Sequence, residues 1–221
     1  MTSIRSQPRS AVVTAMVCAS TVTAQFIGGK AARDALFLAQ IDVTSLPAMV
    51  IATSVFSIGL AAVSSKGLTR LSPARFVPLT FAASALFLLV EWMLTYSAPT
   101  PAAVLVYLHI SGLGPMLGSG FWLIACERFD PRTAKKRFGQ IAGAGTLGGL
   151  LGGVVAERVG AVLGVSAVLP LLAALNIVCA WQVGRLARVQ EPGGRLQAAD
   201  PSPDLAPEAP RSGLQIGRAH V

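Results

Sequence analysis

The chain is short of charge, and of acid above all. Of its 221 residues only 13% are charged, against about 25% in soluble domains. Asp and Glu number 10 against 18 Lys and Arg. Cysteine is scarce too. Cys18, Cys126 and Cys179 lie far apart, each within or at the edge of an apolar run, and no CxxC or Cys/His spacing occurs. That argues against a disulfide framework or a metal site and reads as small buried hydrophobes. The two histidines, His109 and His220, form no cluster. Walker A, Ser/His/Asp and HExxH patterns are absent, so no catalytic residue, metal or cofactor is expected and the chain reads as a non-enzyme.

What the chain has instead is apolar length. Hydrophobic residues make up 53% of it, and mean hydropathy is +0.63. A membrane helix needs about 20 apolar residues. Six such stretches are expected, near 11–39, 46–65, 76–97, 102–126, 138–156 and 161–183, which defines an all-α membrane protein. Pro47 suits the first turn of the second helix. The net charge is +8, but the basic residues cluster between apolar stretches. This is a topology signal rather than a nucleic-acid-binding face.

The distribution of Lys and Arg sets the orientation. Arg5 and Arg9 precede the first span. Lys66, Arg70 and Arg75 follow the second. Arg128, Arg132, Lys135, Lys136 and Arg137 follow the fourth, and Arg185, Arg188 and Arg195 follow the sixth. The opposite side holds Arg158. Positive-inside bias then places residues 1–10 and the C-terminal end in the cytoplasm of a bacterial inner membrane. Val22-Thr23-Ala24 resembles a signal cleavage site, but five further spans favour a retained first span. Residues 184–215, rich in Pro, Ala, Asp and Glu, read as a disordered linker. Residues 216–221 read as a translated sequencing adapter, so a longer natural protein is expected.

Three charges interrupt the first apolar stretch: Lys30, Arg33 and Asp34, spaced i, i+3, i+4 and therefore on one helical face. Charge at membrane depth costs several kcal/mol and usually lines a cavity. The cluster therefore reads as a cationic substrate site, with a Lys30–Asp34 pair keeping it near neutral. A short outside loop is the competing reading. Glu91 in the third stretch is a second candidate, although Trp92 and Tyr96 beside it resemble interface anchors. His109 in the fourth is a third candidate, just before the Gly- and Pro-rich run Ser111–Gly120. In the fifth, Gly143, Gly145 and Gly148 spell G-x-G-x-x-G, but the preceding strand and the acidic residue about 20 positions on are missing. The better reading is close helix packing through Gly139, Gly143, Gly145, Gly148, Gly149 and Gly152.

Lys30-Ala-Ala-Arg33-Asp34-Ala-Leu36, then Asp42 and Leu46-Pro47, resembles the first-helix region of the ATP/ADP translocase family of nucleotide transporters. Phe121-Trp122, Ala134-Lys135-Lys136-Arg137-Phe138 and Gly143-x-Gly145 resemble that family's fourth-to-fifth-helix region. The resemblance covers about residues 11–183. It implies the N-terminal six-helix half of a major-facilitator-type transporter, completed by a C-terminal half of the same protein. It further implies alternating access, an anionic substrate of the nucleotide class, and phosphate contacts from Arg33 and Lys30. Nucleotide-exchanging members carry an acidic residue in the fourth helix, where this chain has Leu105-Val106-Tyr107-Leu108-His109-Ile110. That departure supports an alternative from another class: a non-transporting membrane scaffold or sensor with soluble regulatory domains downstream. The lipid bilayer is the other expected partner, and nucleic acid is not one.

Overall fold

A computed structural model describes residues 9–129 and 131–188. Among these residues there is no strand. The chain forms α1 (Arg9–Gln40), α2 (Leu46–Arg70), α3 (Pro73–Ser97), α4 (Pro99–Arg128), α5 (Pro131–Leu163) and α6 (Val168–Arg188), with short 3₁₀ turns before α2 and α6. Each of the six helices is long and apolar enough to cross a membrane.

The helices overrun the apolar stretches that announce them. Polar residues at each end continue the i→i−4 hydrogen bonding after the hydrophobic pattern stops. Thus α2 continues through Lys66 to Arg70, and α5 begins before the basic run, at Pro131. Proline opens α3 and α4 and sits in the first turn of α2, where its missing N–H has no intrahelical partner to lose. Before α2 the Asp42 carboxylate accepts the Thr44 amide at 2.8 Å. Hydrogen bonds from Thr44, its side chain first and its amide second, hold the Asp42 carboxyl below its usual range.

Three expected boundaries differ in the last two helices. The fifth helix does not stop near 156. It runs past the exposed Glu157–Arg158 ion pair, 3.2 Å long, to Leu163. It ends where Gly164 takes φ +90°, a backbone that L side chains rarely adopt. Arg158 is therefore helical, and the sixth helix starts at Val168 rather than 161. Residues 184–188, expected in the linker, belong to α6. Cys179, Val183, Leu186 and Ala187 continue one buried stripe at helical spacing, and that stripe holds the last turn in place. The remaining linker and adapter residues, 189–221, lie outside the described residues, as do 1–8.

Helices α1 and α4 are central and pack on each other. Helix α1 also packs on α5 and α6, and α4 on α2 and α3, while α3 packs on α6. Exchanging α1, α2, α3 for α4, α5, α6 maps these pairings onto one another. The bundle is therefore pseudo-symmetric as three helices plus three.

The α1–α5 seam explains the glycine-rich fifth helix. A side chain at Gly148 would overlap the backbone of Ser20, and one at Gly152 the backbone of Ala24. Gly145 and Gly149 face Thr23. Backbones this close permit the Ser20 hydroxyl to donate to the Ala144 carbonyl at 2.7 Å, across the two helices. Gly139 and Gly143 are not on this seam. A Cβ on either meets nothing within 4 Å. They lie up to a turn or more before the crossing, on a face turned away from α1.

Two apolar cores stack along the bundle. One gathers Val12 to Val22 of α1 with Phe81, Phe121 and Val183. The other gathers Ala32 with Leu88, Val106 and Leu169. Between them, at positions skipped by both clusters, lie the buried polar residues Gln25 of α1, Ser84 of α3 and Asn176 of α6. Each is within about 3 Å of its helix midpoint at 1.5 Å per residue. A polar layer thus divides the hydrophobic interior at mid-height.

Candidate functional site

Lys30, Arg33 and Asp34 are helical, with α1 continuing to Gln40, so the charges are not in a loop. Measured along the helix from its midpoint, Lys30 sits about 8 Å and Arg33 about 13 Å toward the α1–α2 connection, inside the roughly 15 Å half-thickness of a hydrocarbon core.

The pairing within the cluster differs from expectation. Asp34 pairs with Arg33, not with Lys30: Nη2 and Nε of Arg33 approach Asp34 Oδ1 at 2.7 and 2.8 Å. Neighbours in sequence diverge by about 100° on a helix, yet the long arginine side chain swings back to reach its neighbour. Arg33 Nη1 donates to the Ser111 hydroxyl at 2.6 Å, and the guanidinium lies 4.6 Å from the Tyr107 ring centre. Tyr107 and Ser111 are one turn apart on α4, so both α4 groups meet one cation. The side chain of Arg33 remains 16% exposed and that of Asp34 51%.

Lys30 leans toward the helix N-terminus, as helical side chains do, and its ammonium sits 4.6 Å over the Phe26 ring. Phe26 is a wall of a groove of about 320 Å³ between α1, α4 and α5, lined also by Gly114, Pro115, Gly118 and Trp122. That volume lies at the lower end for a small-molecule site. Phe26, Lys30, Arg33 and Phe37 thus form a stripe along the α1–α4 seam, aromatic at each end and cationic in the middle. Phe37 closes it against Tyr107, ring centres 4.9 Å apart.

Glu91 and His109 do not join this cluster. They pair with each other on the opposite side of α4, because His109 lies two residues, about 200°, from both Tyr107 and Ser111. His109 Nδ1 is 3.0 and 2.9 Å from the two Glu91 carboxylate oxygens. Its Nε2 is 3.1 Å from the Ser84 hydroxyl. Glu91 is 5% exposed, so it is not a surface residue, although Trp92 and Tyr96 beside it pack edge-to-face on each other at the end of α3. Ser84, Gln25 and Asn176 were not singled out by sequence. Ser84 and Glu91 are seven apart, two turns of one face, which is the signal that was present. Partnership with a residue on another helix was not legible.

The Ser84–His109–Glu91 order is one the sequence does not spell, since the three come from two helices and the acid lies between the other two in the chain. Beside Ser84 and His109 is a small cavity of about 10 Å³, lined also by Gln25, Gly29 and Leu172. This is room for about one water molecule. Asn176 Nδ2 donates to the Leu172 carbonyl at 2.9 Å and reaches Gln25 Oε1 at 3.4 Å, while Gln25 Nε2 and Asn176 Oδ1 have no protein partner.

No protein-family model, no curated protein and no solved structure matches this chain. Among the described residues no cluster of His, Cys, Asp or Glu has the geometry to hold a metal ion.

Proposed function

We propose that this protein is a membrane transporter for a small anionic solute of the nucleotide class, working by alternating access as one six-helix half of a major-facilitator-type protein. The observation that carries the reading is Arg33, a partly exposed guanidinium within an apolar, membrane-length helix on the central α1–α4 seam. A solvated loop charge would need no such partners. Ser111, Tyr107 and Asp34 occupy part of its hydrogen-bonding and π-facing capacity and leave the rest for an anion, which a guanidinium binds in bidentate fashion. Lys30 adds a second positive charge one turn along. The aromatic walls at Phe26 and Trp122 suit a planar base beside the phosphates.

The three-plus-three arrangement supports the same reading, because nested inverted repeats of three helices build each half of major-facilitator proteins and place the substrate near mid-membrane. The basic connections after α2 and α4 and the basic last turn of α6 support a cytoplasmic position for both ends of the bundle. Scaffold function requires no partly open cation on the central seam.

Binding tests this directly. With the protein in lipid nanodiscs, labelled ATP should bind in a salt-sensitive way and be displaced by ADP and by inorganic pyrophosphate. Arg33→Ala should weaken binding tenfold or more, since a charge-assisted hydrogen bond is worth about 1.5–3 kcal/mol. Unchanged binding in Arg33→Ala and Lys30→Ala removes the basis of the proposal.

A further inference from the structure

We propose that Glu91, His109 and Ser84 form a proton-binding relay and that the proton is the coupling ion of the transporter. The coupling role rests on the transport reading above; the proton-binding site stands on its own geometry.

Glu91 is a buried carboxylate whose contacting group is an imidazole. An ionised carboxylate only accepts hydrogen bonds, so His109 Nδ1 carries its hydrogen toward Glu91. With the imidazole neutral, Nε2 is an acceptor, and the Ser84 hydroxyl donates to it across 3.1 Å. The pair then carries one net negative charge inside the bundle. Such a charge is costly in a low-dielectric interior. When one proton arrives, Nε2 gains an N–H and the pair becomes net neutral, whether the second proton rests on nitrogen or on the Glu91 oxygen. Only N–H or O–H bonds form, and one positive charge is taken up.

Ser84 registers the change. Once Nε2 is a donor, the hydroxyl must accept from it and turn its own hydrogen elsewhere. The cavity for one water, walled by Ser84, His109 and Gln25, lies beside it. A water there would link Ser84 to Gln25, whose other amide atom meets Asn176. The relay therefore runs from the outer half of α3 to the mid-height polar layer and to the α1–α6 contact.

Among the described residues, the ion-pair and hydrogen-bond partners of Glu91 and His109 are each other and Ser84. From α1, Arg33 turns to Tyr107 and Ser111 on the far side of α4. From α6, the one ionisable side chain between Val168 and Val183 is Cys179, in the other apolar core. Lys66 and Arg70 of α2 stand at that helix's opposite end. Within α3 and α4 themselves, Phe87 packs edge-on against the imidazole at 5.9 Å.

The chain has two histidines, so protein labelled at the imidazole Cε1 and held in nanodiscs gives one resonance for His109 and one for the His220 reference. The expected result is a His109 signal that moves between two limits as pH changes. Its midpoint shifts at least tenfold in proton concentration in Glu91→Gln, with a smaller shift in Ser84→Ala, and His220 is unaffected. A His109 signal fixed over the pH range in which the protein stays folded, or one titrating identically in wild type and Glu91→Gln, overturns the relay. Coupling is read separately, with ATP added to proteoliposomes enclosing a pH-sensitive dye. Proton movement that accompanies ATP supports coupling. ATP movement without proton movement overturns it. If His109 titrates as expected but no ATP moves, the nucleotide reading fails and the proton site stands.

Discussion

His109 on α4 and Glu91 on α3 meet through one ring nitrogen and two carboxylate oxygens, at 3.0 and 2.9 Å. Glu91 is the one acidic residue buried among the described residues, and this contact makes its burial tolerable. Removing one partner strands the other. Glu91→Ala should cost about 1–3 kcal/mol, and the Glu91→Ala/His109→Ala double variant should cost less than the sum by about 0.5–3 kcal/mol. Thermal unfolding followed by size-exclusion chromatography reads both. Strict additivity would mean that the contact does not stabilise the bundle.

The α1–α5 seam makes a contrast within one helix. Gly148→Leu and Gly152→Leu force side chains into the Ser20 and Ala24 backbones respectively, which cannot rotate away, and should destabilise by about 1–3 kcal/mol or more. Gly143→Leu meets open space and should stay within about 0.5 kcal/mol. Equal losses at all three positions would refute the seam.

Water access separates a cavity from a lipid face. On a background with Cys18, Cys126 and Cys179 replaced, Lys30→Cys and Asp34→Cys should react with a membrane-impermeant maleimide. Val13→Cys and Val17→Cys, exposed on the bundle's outer face, should be shielded by lipid. Reactivity at position 30 as low as at 17 would place Lys30 against lipid.

The elements were legible because apolar length and proline placement act locally. Six runs of apolar residues announce six helices without reference to partners, and Pro47 marks the start of the second. Helix ends were less legible, since Glu157 and Arg158 look like a loop to hydropathy yet sustain helical hydrogen bonds to Gly164. In the site, Lys30, Arg33 and Asp34 stood out because charge in an apolar run is conspicuous. Their pairing did not, because i, i+4 spacing favoured Lys30–Asp34 while Ser111 and Tyr107 drew Arg33 into the seam. Glu91 and His109 were visible singly, as separate candidates, but not as partners of each other. Pairing them required knowing which side of α4 each helix packs against. Gln25, Ser84 and Asn176 are uncharged, and only their shared height in the bundle makes them a layer.

The most direct test of the central claim is uptake of labelled ATP into cells expressing the protein, compared with Arg33→Ala and Arg33→Lys. Anion recognition at the α1–α4 seam predicts uptake in the wild type, a loss of about tenfold or more in Arg33→Ala, and partial retention in Arg33→Lys, which keeps the charge but not the bidentate fork. Uptake that is equal in all three would contradict it.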